Sequence, residues 1–287
     1  MIEENILECS FGDPMSTLTQ VEKRLTIRDL HKKYHTGEKL VALSLYDSSM
    51  AGLADQCDVD ILLVGDSLGM TMLGYDSTVP VTVEQCLHHT AAVSRGSQHA
   101  FILGDMPFLS YHLNAEQALT NAARFLQEAG AQAVKLEGGE EIAPTVKRMV
   151  QAGIPVFGHI GILPQAVNAA GGYVVKGRSD ECAEQLLIDA KALADAGACG
   201  LVLEGIHKDV CAQITDSVNI PTIGIGAGVS CNGQIQVVND ILGLFESFVP
   251  KHAKRYANLA ETIRGVFQQY SEDVRKASFP CDKNSFS

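Results

Sequence analysis

The sequence is poor in basic residues and contains no long hydrophobic run. It has 22 lysine and arginine residues against 34 aspartate and glutamate residues, which gives a formal net charge of −12 over 287 residues. Binding to nucleic acid by phosphate neutralisation needs clustered basic residues, so this charge argues against it. No apolar run approaches the roughly 20 residues that a transmembrane helix requires. We therefore expect a protein that binds neither nucleic acid nor membranes.

The eight cysteines include no C-x-x-C pair and lack the spacing of zinc sites or disulfide-rich domains. In a chain of this length, such scatter is typical of reduced thiols that serve as small hydrophobic side chains. The first residues are acidic and lack the apolar core of a secretory signal. We therefore predict a cytoplasmic protein with a flexible acidic leader over residues 1–24 and a flexible tail over residues 276–287.

Eight short apolar runs alternate with amphipathic segments through the chain. They are VALSLY (41–46), ILLVGD (61–66), AFILGD (100–105), AVKLEG (133–138), PVFGHIG (155–161), GLVLEG (200–205), PTIGIGAG (221–228) and QIQVVND (234–240). Strands that alternate with helices predict a parallel sheet. Their number and the chain length predict a single-domain (β/α)8 TIM barrel over residues 25–275. A doubly wound open sheet is the alternative, although it usually needs only five or six strands.

Three amphipathic segments have recognisable helix boundaries. One is predicted to begin after Asn114 and to end near Gly130, and a second to begin after Ser179 and to end near Gly197. The third, TIRDLHKKYHTG (26–37), precedes the first strand. We expect this lead-in helix to cap the barrel.

Charged residues stand at the carboxyl ends of the second to sixth predicted strands. They are Asp66, Asp105, Lys135, Glu137, His159 and Glu204. In a barrel these strand ends meet at one rim, where barrel enzymes bind their substrates. Carboxylates that converge in a partly buried pocket repel one another unless a cation neutralises them. Because oxygen ligands favour hard cations, we predict that Asp66, Asp105 and Glu137 bind Mg²⁺.

The other charged residues of the rim have candidate roles in catalysis or substrate binding. Glu204 is the candidate general base, since it is a fourth carboxylate outside the ligand set. Lys135 is a candidate for stabilising negative charge on the substrate, and a Schiff base is the alternative that its acidic neighbours disfavour. His159 is either a hydrogen-bond donor to substrate or a histidine of the core.

The segment G-D-S-L at residues 65–68 also matches the opening signature of one class of serine esterases. Those enzymes carry their base in a D-x-x-H motif, and none of the nine histidines here has an aspartate three positions before it. We therefore favour a role for Asp66 over a nucleophilic Ser67. The glycine-rich loop AAGGYVVKGR (169–178) is either a flap over the site or a plain surface loop.

Seven segments together resemble the ketopantoate hydroxymethyltransferase family over about residues 25–275. They are LVGDSLGMTMLGYDSTVPVT, HHTAAVSRG, DMPF, VKLEGG, GHIGILPQ, GGYVVKGR and IGIGAG. The resemblance implies a (β/α)8 barrel that transfers a hydroxymethyl group from 5,10-methylenetetrahydrofolate to 3-methyl-2-oxobutanoate, giving ketopantoate for pantothenate and coenzyme A synthesis. It also implies a Mg²⁺-stabilised enolate and a homo-oligomer, commonly a decamer.

The resemblance assigns roles to the same residues. It places Mg²⁺ between Asp66, Asp105 and Glu137, makes Glu204 the proton acceptor, and places the keto acid against Asp66, Ser67, Asp105 and Lys135. Four positions depart from the common family pattern without removing a ligand or the base, namely Ser44, Leu45, Leu163 and Gly205. The nearest alternative is another Mg²⁺ enolate enzyme, of the phosphoenolpyruvate mutase and isocitrate lyase group, whose characteristic catalytic cysteine is missing after these strand ends. A non-catalytic binding protein is the second alternative.

Overall fold

The computed structural model describes residues 23–245 and 250–286 of the chain. Within these ranges, eight parallel strands close into one barrel in the order of the sequence, and β8 pairs with β1. The strands are β1 Leu40–Ser44, β2 Ile61–Val64, β3 Phe101–Asp105, β4 Ala133–Glu137, β5 Val156–Gly161, β6 Gly200–Glu204, β7 Thr222–Ile225 and β8 Gly233–Val237. The predicted (β/α)8 barrel is confirmed, and the open sheet is wrong. Most of the predicted leader lies outside the described residues.

Helices and short turns connect the strands. The helices are α1 Ile27–Thr36, α2 Ser48–Asp55, α3 Leu68–Thr71, α4 Val83–Gly96, α5 Ala115–Gln127, α6 Ala143–Gln151, α7 Val167–Ala170, α8 Asp180–Asp195, α9 Lys208–Ser217, α10 Val238–Ile241 and α11 Leu259–Arg275. Among the described residues, three 3-10 turns lie at Glu140–Ile142, Pro164–Ala166 and Asp282–Asn284. The last lies within the predicted tail, whose flexibility stays a prediction. None of the described helices is long and apolar enough to cross a membrane.

The helix boundaries follow the capping residues that the sequence shows. The Asn114 side chain accepts a hydrogen bond from the Gln117 N–H at 2.8 Å and starts α5, and Ser179 starts α8 in the same way. Both helices end two or three residues before their predicted glycines, which then adopt positive φ angles. The predicted seventh strand is too long, because β7 ends at Ile225 and Gly226 has a φ of 62°.

The lower half of the barrel interior holds an apolar cluster. Its side chains come from alternate positions of the strands and include Phe101, Leu103 and Phe157. Leu30 of α1 packs into the same cluster, so the lead-in helix caps the barrel as predicted. A larger apolar layer lies between the strands and the surrounding helices. Gly104 of β3 faces this outer layer and packs against the Phe125 ring of α5. A Cβ at this position would lie 2.5 Å from the ring, which is too close.

The register of the strands determines which side chains meet in the upper half of the barrel interior. Asp105 of β3 pairs with Lys135 of β4, and Glu137 of β4 pairs with His159 of β5. Lys135 and Glu137 are two residues apart on one strand, so both side chains lie on the inner face. The upper ends of β3, β4 and β5 therefore deliver four ionisable side chains to one place.

Candidate active site

The upper end of the barrel contains a buried cluster of ionisable side chains. Asp66, Asp105, Lys135, Glu137 and His159 are each no more than 4% exposed. Asp66 lies in the turn after β2, and the other four lie on β3, β4 and β5. The side chain of Glu204, at the end of β6, is 21% exposed. Burial of this many charges costs free energy unless they are paired or bind a ligand.

The ammonium group of Lys135 lies at the centre of the cluster. Its Nζ is 2.9 Å from Asp105 Oδ1 and 3.6 Å from Glu137 Oε1. Burial lowers the pKa of this ammonium, but the charges of Asp105, Glu137 and Asp66 outweigh burial and raise the pKa above its usual value. A Schiff base would need a neutral amine. The geometry therefore favours an ion-paired lysine.

The two aspartates of the cluster are held together through the backbone. The Asp66 N–H donates a hydrogen bond to Asp105 Oδ2 at 2.9 Å. Burial raises the pKa of Asp66 well above its usual value, and the charges of Asp105 and Glu137 raise it further. The pKa of Asp105 is raised by burial and by Glu137, although Lys135 opposes this. These acids are therefore in an environment that disfavours their ionisation without a further cation.

Glu137 is in a different environment from the aspartates. Its Oε2 accepts a hydrogen bond from the Gln165 N–H at 3.1 Å, and its Oε1 lies 3.4 Å from His159 Nδ1. Burial raises the pKa of Glu137, but Lys135 and His159 outweigh burial, so that the pKa lies below its usual value. Glu137 is therefore the carboxylate of the cluster that ionises most readily.

His159 links Lys135 to Glu204. Its Nδ1 lies 3.1 Å from Lys135 Nζ, and its Nε2 lies 3.3 Å from Glu204 Oε2. Burial and the Lys135 charge lower the pKa of the imidazole, but Glu137 and Glu204 outweigh them and raise it to about 9. His159 therefore contacts the candidate base from within the cluster.

Ser67 hydrogen-bonds to a phenol. Its Oγ lies 2.8 Å from the Tyr46 hydroxyl, which also accepts a hydrogen bond from Ser44 Oγ at 3.3 Å. A phenol whose pKa is raised by burial, as that of Tyr46 is, does not activate a serine nucleophile. This contact supports the interpretation that Ser67 is not the nucleophile of a hydrolase. Ser44, one of the departures from the family pattern, is part of this hydrogen-bonded chain.

Comparison with known proteins decides the family. A model described as ketopantoate hydroxymethyltransferase matches residues 24–282. The chain belongs to the ketopantoate hydroxymethyltransferase family. A relative named 3-methyl-2-oxobutanoate hydroxymethyltransferase from Syntrophus aciditrophicus (strain SB) is 53% identical, over 95% of this chain and 100% of its own. One of the same name from Carboxydothermus hydrogenoformans is 52% identical, over 92% and 96%. The family resemblance of the sequence is confirmed, and the chain is a member of a family of transferases.

Solved structures of other enzymes share the fold of this family member. Phosphonopyruvate hydrolase, solved in complex with oxalate and Mg²⁺, matches with a TM-score of 0.58 and 14% identity, over 91% of this chain and 93% of its own. A 2,3-dimethylmalate lyase of the phosphoenolpyruvate mutase and isocitrate lyase superfamily matches with a TM-score of 0.57 and 16% identity, over 91% and 92%. At this identity the similarity shows the barrel fold alone.

The donor set of this hydroxymethyltransferase family member fits a hard divalent cation. Asp105 Oδ1 and Glu137 Oε1 are buried and make no hydrogen bond within the described residues, although both face Lys135 Nζ. The described part of the chain holds no group of three or more histidine, cysteine, aspartate or glutamate side chains already arranged to hold a metal ion. Mg²⁺ commonly uses one or two carboxylates and completes its shell with water and substrate oxygens. Asp105 and Glu137 would therefore suit a hard divalent cation only if ligand oxygens and water completed its shell.

Sequence reasoning missed two uncharged residues of the site. Gln165 Nε2 donates a hydrogen bond to Asp66 Oδ2 at 3.0 Å, and its Oε1 accepts one from the Tyr111 hydroxyl at 2.9 Å. The Tyr111 hydroxyl also lies 3.0 Å from the Glu137 carbonyl oxygen, which competes with Gln165 Oε1 for its single proton, and it accepts a hydrogen bond from the Glu137 N–H at 3.0 Å. An open cavity of about 290 Å³ lies beside Glu137 and is lined by both residues. The segment GHIGILPQ, which ends at Gln165, was the signal that pointed to this region.

Proposed function

We propose that this protein transfers a hydroxymethyl group from 5,10-methylenetetrahydrofolate to 3-methyl-2-oxobutanoate, giving 2-dehydropantoate (ketopantoate) for pantothenate and coenzyme A synthesis. The observation that carries the proposal is the buried cluster of Asp66, Asp105, Lys135 and Glu137, with Glu204 at its exposed edge. This arrangement occurs in a chain whose relatives, more than half identical, bear the name of that activity.

Mg²⁺ is the proposed cofactor, and Asp66, Asp105 and Glu137 are its proposed ligands. When bound, Mg²⁺ supplies Lewis-acid polarisation of the carboxylate and keto oxygens of the substrate, which makes the proton on C3 more acidic. The raised pKa values of Asp66 and Asp105 support this assignment. The buried carboxylates together carry more negative charge than the Lys135 ammonium neutralises.

The keto acid binds against the polar residues of the cluster in this proposal. Lys135 keeps its positive charge in the buried site and attracts the negative charge of the substrate and of the enolate. The other proposed contacts of the keto acid are the Ser67 hydroxyl and the acids Asp66 and Asp105, with His159 as a further candidate donor. The walls of the cavity beside Glu137 are mixed, and their apolar part, which includes Phe108 and Leu163, suits a small branched apolar tail.

Glu204 is the proposed proton acceptor. It ends β6 at the mouth of the barrel, and its partly exposed carboxylate is held 3.3 Å from His159 Nε2. Glu204 takes the C3 proton, and the electrons of the C–H bond form the enolate. The enolate carbon then bonds to the one-carbon unit of the folate, and water supplies the hydroxyl oxygen as tetrahydrofolate leaves. The products are ketopantoate and tetrahydrofolate.

A homo-oligomer is part of the proposal. Helix α11 has no buried residue, and its exposed apolar side chains include Ile263, Val266, Phe267 and Tyr270. An apolar helix face of this kind supports association with a further subunit. A molar mass in solution equal to that of one chain would contradict this part of the proposal. We further propose that the protein acts in the cytoplasm.

The decisive experiment follows the C3 proton of the substrate. Wild-type protein is incubated with Mg²⁺ and 3-methyl-2-oxobutanoate in D₂O, and loss of the C3 proton signal is recorded by NMR. Addition of 5,10-methylenetetrahydrofolate should then yield ketopantoate. The control substrate is 3,3-dimethyl-2-oxobutanoate, which has no C3 proton and should neither exchange nor react. If 3-methyl-2-oxobutanoate neither exchanges nor forms ketopantoate, the proposal is wrong.

A further inference from the structure

Gln165 joins the upper ends of three strands although it carries no charge. It lies in the 3-10 turn after β5 and is buried. Its Nε2 donates to Asp66 Oδ2 after β2 and to the Met106 carbonyl oxygen after β3, both at 3.0 Å. Its backbone N–H donates to Glu137 at the end of β4. One residue thus holds two of the three acids of the cluster.

The orientation of the Gln165 amide is fixed by its neighbours. Nε2 faces two acceptors, the Asp66 carboxylate and the Met106 carbonyl, while Oε1 faces the hydroxyl of Tyr111. A flipped amide would place its oxygen against the two acceptors and would lose both hydrogen bonds. Because the side chain is buried, water cannot compensate for that loss.

These hydrogen bonds distinguish the two oxygens of each acid. Gln165 occupies Oδ2 of Asp66 and Oε2 of Glu137, which leaves Oδ1 and Oε1 for a ligand. Glu137 Oε1 is buried and makes no hydrogen bond within the described residues, although it lies 3.6 Å from Lys135 Nζ and 3.4 Å from His159 Nδ1. We infer that Gln165 is a positioning residue: its side-chain amide determines which oxygen of Asp66 meets the cation and the keto acid, and its backbone N–H does the same for Glu137. This inference rests on the proposed function.

The test compares two glutamine substitutions of equal chemistry. Q165M keeps the length of the side chain and the backbone N–H to Glu137 but removes the hydrogen bonds of the side-chain amide to Asp66, Met106 and Tyr111. Q185M is the matched control, since Gln185 of α8 is exposed and its amide bonds to Glu140 and Asp189 away from the cluster. Calorimetry measures Mg²⁺ affinity without substrate, and the deuterium exchange assay measures kcat and KM for 3-methyl-2-oxobutanoate.

Loss of a residue that orients metal ligands commonly weakens metal binding by about 10–100-fold. We therefore expect Q165M to weaken Mg²⁺ binding by at least about tenfold and to raise the KM in proportion. The kcat at saturating Mg²⁺ and keto acid should stay near that of wild type, because Glu204 is untouched. Q185M should resemble wild type in every parameter. If Gln165 had only a structural role, Q165M would lower the melting temperature without raising the KM at an unchanged kcat.

Several results would overturn the inference. One is that Q165M and Q185M bind Mg²⁺ with the same affinity, and another is that Q165M loses kcat at unchanged KM. If Q165M does not fold, Y111F decides, because it removes the hydroxyl that donates to Gln165 Oε1. Y111F should weaken Mg²⁺ binding to a smaller extent, and unchanged affinity would contradict the inference. A wild-type protein that does not exchange the C3 proton would refute the proposed function, while the Mg²⁺ affinities would still test Gln165.

Discussion

Asp55 at the lower end of the barrel and the two aspartates at the upper end, Asp66 and Asp105, have opposite environments. At the lower end, Asp55 accepts hydrogen bonds from the Ser97 hydroxyl and from the N–H groups of residues 98–100, at 2.6–3.1 Å. Burial raises the pKa of Asp55, but these hydrogen bonds outweigh it, so that the pKa lies below its usual value. At the upper end, burial and neighbouring charges raise the pKa of Asp66 and Asp105.

The contrast separates an acid that is stabilised as a carboxylate by hydrogen bonds from two acids whose ionisation is disfavoured by burial and by neighbouring carboxylates. A carboxylate whose oxygens are satisfied by backbone N–H groups contributes to stability when ionised. A buried carboxylate crowded by other carboxylates destabilises the protein when ionised, and this cost is removed when a cation binds. Substitutions at the lower end should therefore affect stability, whereas substitutions at the upper end should affect binding and catalysis.

The largest effect is expected for Glu204→Gln at the upper end. The amide cannot accept the C3 proton, so exchange should fall by about 10²–10⁴-fold, the usual contribution of a general base. Mg²⁺ binding should remain close to wild type, since Glu204 is outside the proposed ligand set. NMR of 3-methyl-2-oxobutanoate in D₂O measures the rate. Glu181→Gln, at an exposed position of α8, is the control, and equal rates for the two variants would remove Glu204 from its role.

Phe157→Ala tests the lower half of the interior. Phe157 is buried, its ring packs against Gly200, and it lies 6.2 Å from the ring centre of Phe101. The cavity left by the ring should cost about 3–5 kcal/mol of unfolding free energy. The folded fraction at low temperature should still exchange the C3 proton. Chemical denaturation followed by circular dichroism measures the loss, and an unchanged midpoint would contradict the packing described.

Asp55→Asn should cost less than Phe157→Ala, and the cost should depend on pH. At pH 7 we expect a loss of about 1–2 kcal/mol, since charge-assisted hydrogen bonds are lost at a partly exposed site. The folded pKa of Asp55 is depressed, so its stabilisation is present above the unfolded pKa of about 3.9 and is lost as the pH falls through the folded pKa. The difference between wild type and variant should therefore shrink in acid. A difference independent of pH would show that the charge is not involved.

Asp66→Asn should weaken Mg²⁺ binding, whereas the stability of the metal-free protein should change little. The asparagine keeps an oxygen for the Gln165 amide but removes a carboxylate whose ionisation is disfavoured. The metal-free variant should melt at the wild-type temperature or above it, and its Mg²⁺ affinity should fall by about tenfold or more, as for a lost ligand. Differential scanning calorimetry with and without Mg²⁺ measures both. A destabilised variant that binds Mg²⁺ normally would reverse the comparison between the two ends.

Much of the fold could be predicted because its signals are local. Alternating apolar runs located all eight strands, and the caps at Asn114 and Ser179 located two helices. The errors lie where backbone conformation depends on tertiary structure. The predicted last strand over residues 234–240 continues past Val237, where the chain instead turns into α10.

The charged residues of the site could be predicted from the sequence, whereas the uncharged ones could not. Strand ends of a barrel converge by topology, so an acid at each end was enough to place Asp105 and Glu137 together. Gln165 and Asp66 are 99 positions apart, and their hydrogen bond depends on a 3-10 turn and on the hydroxyl of Tyr111. No periodicity or spacing in the sequence encodes that contact.

The most direct measurement is anomalous diffraction from crystals soaked with Mn²⁺ and 3-methyl-2-oxobutanoate, because Mn²⁺ shares the oxygen preference of Mg²⁺. We predict one anomalous peak at the upper end of the barrel, within coordination distance of carboxylate oxygens from Asp66, Asp105 and Glu137 or of waters bound to them. A peak elsewhere, or keto acid bound in the barrel with no ion beside these residues, would contradict the account.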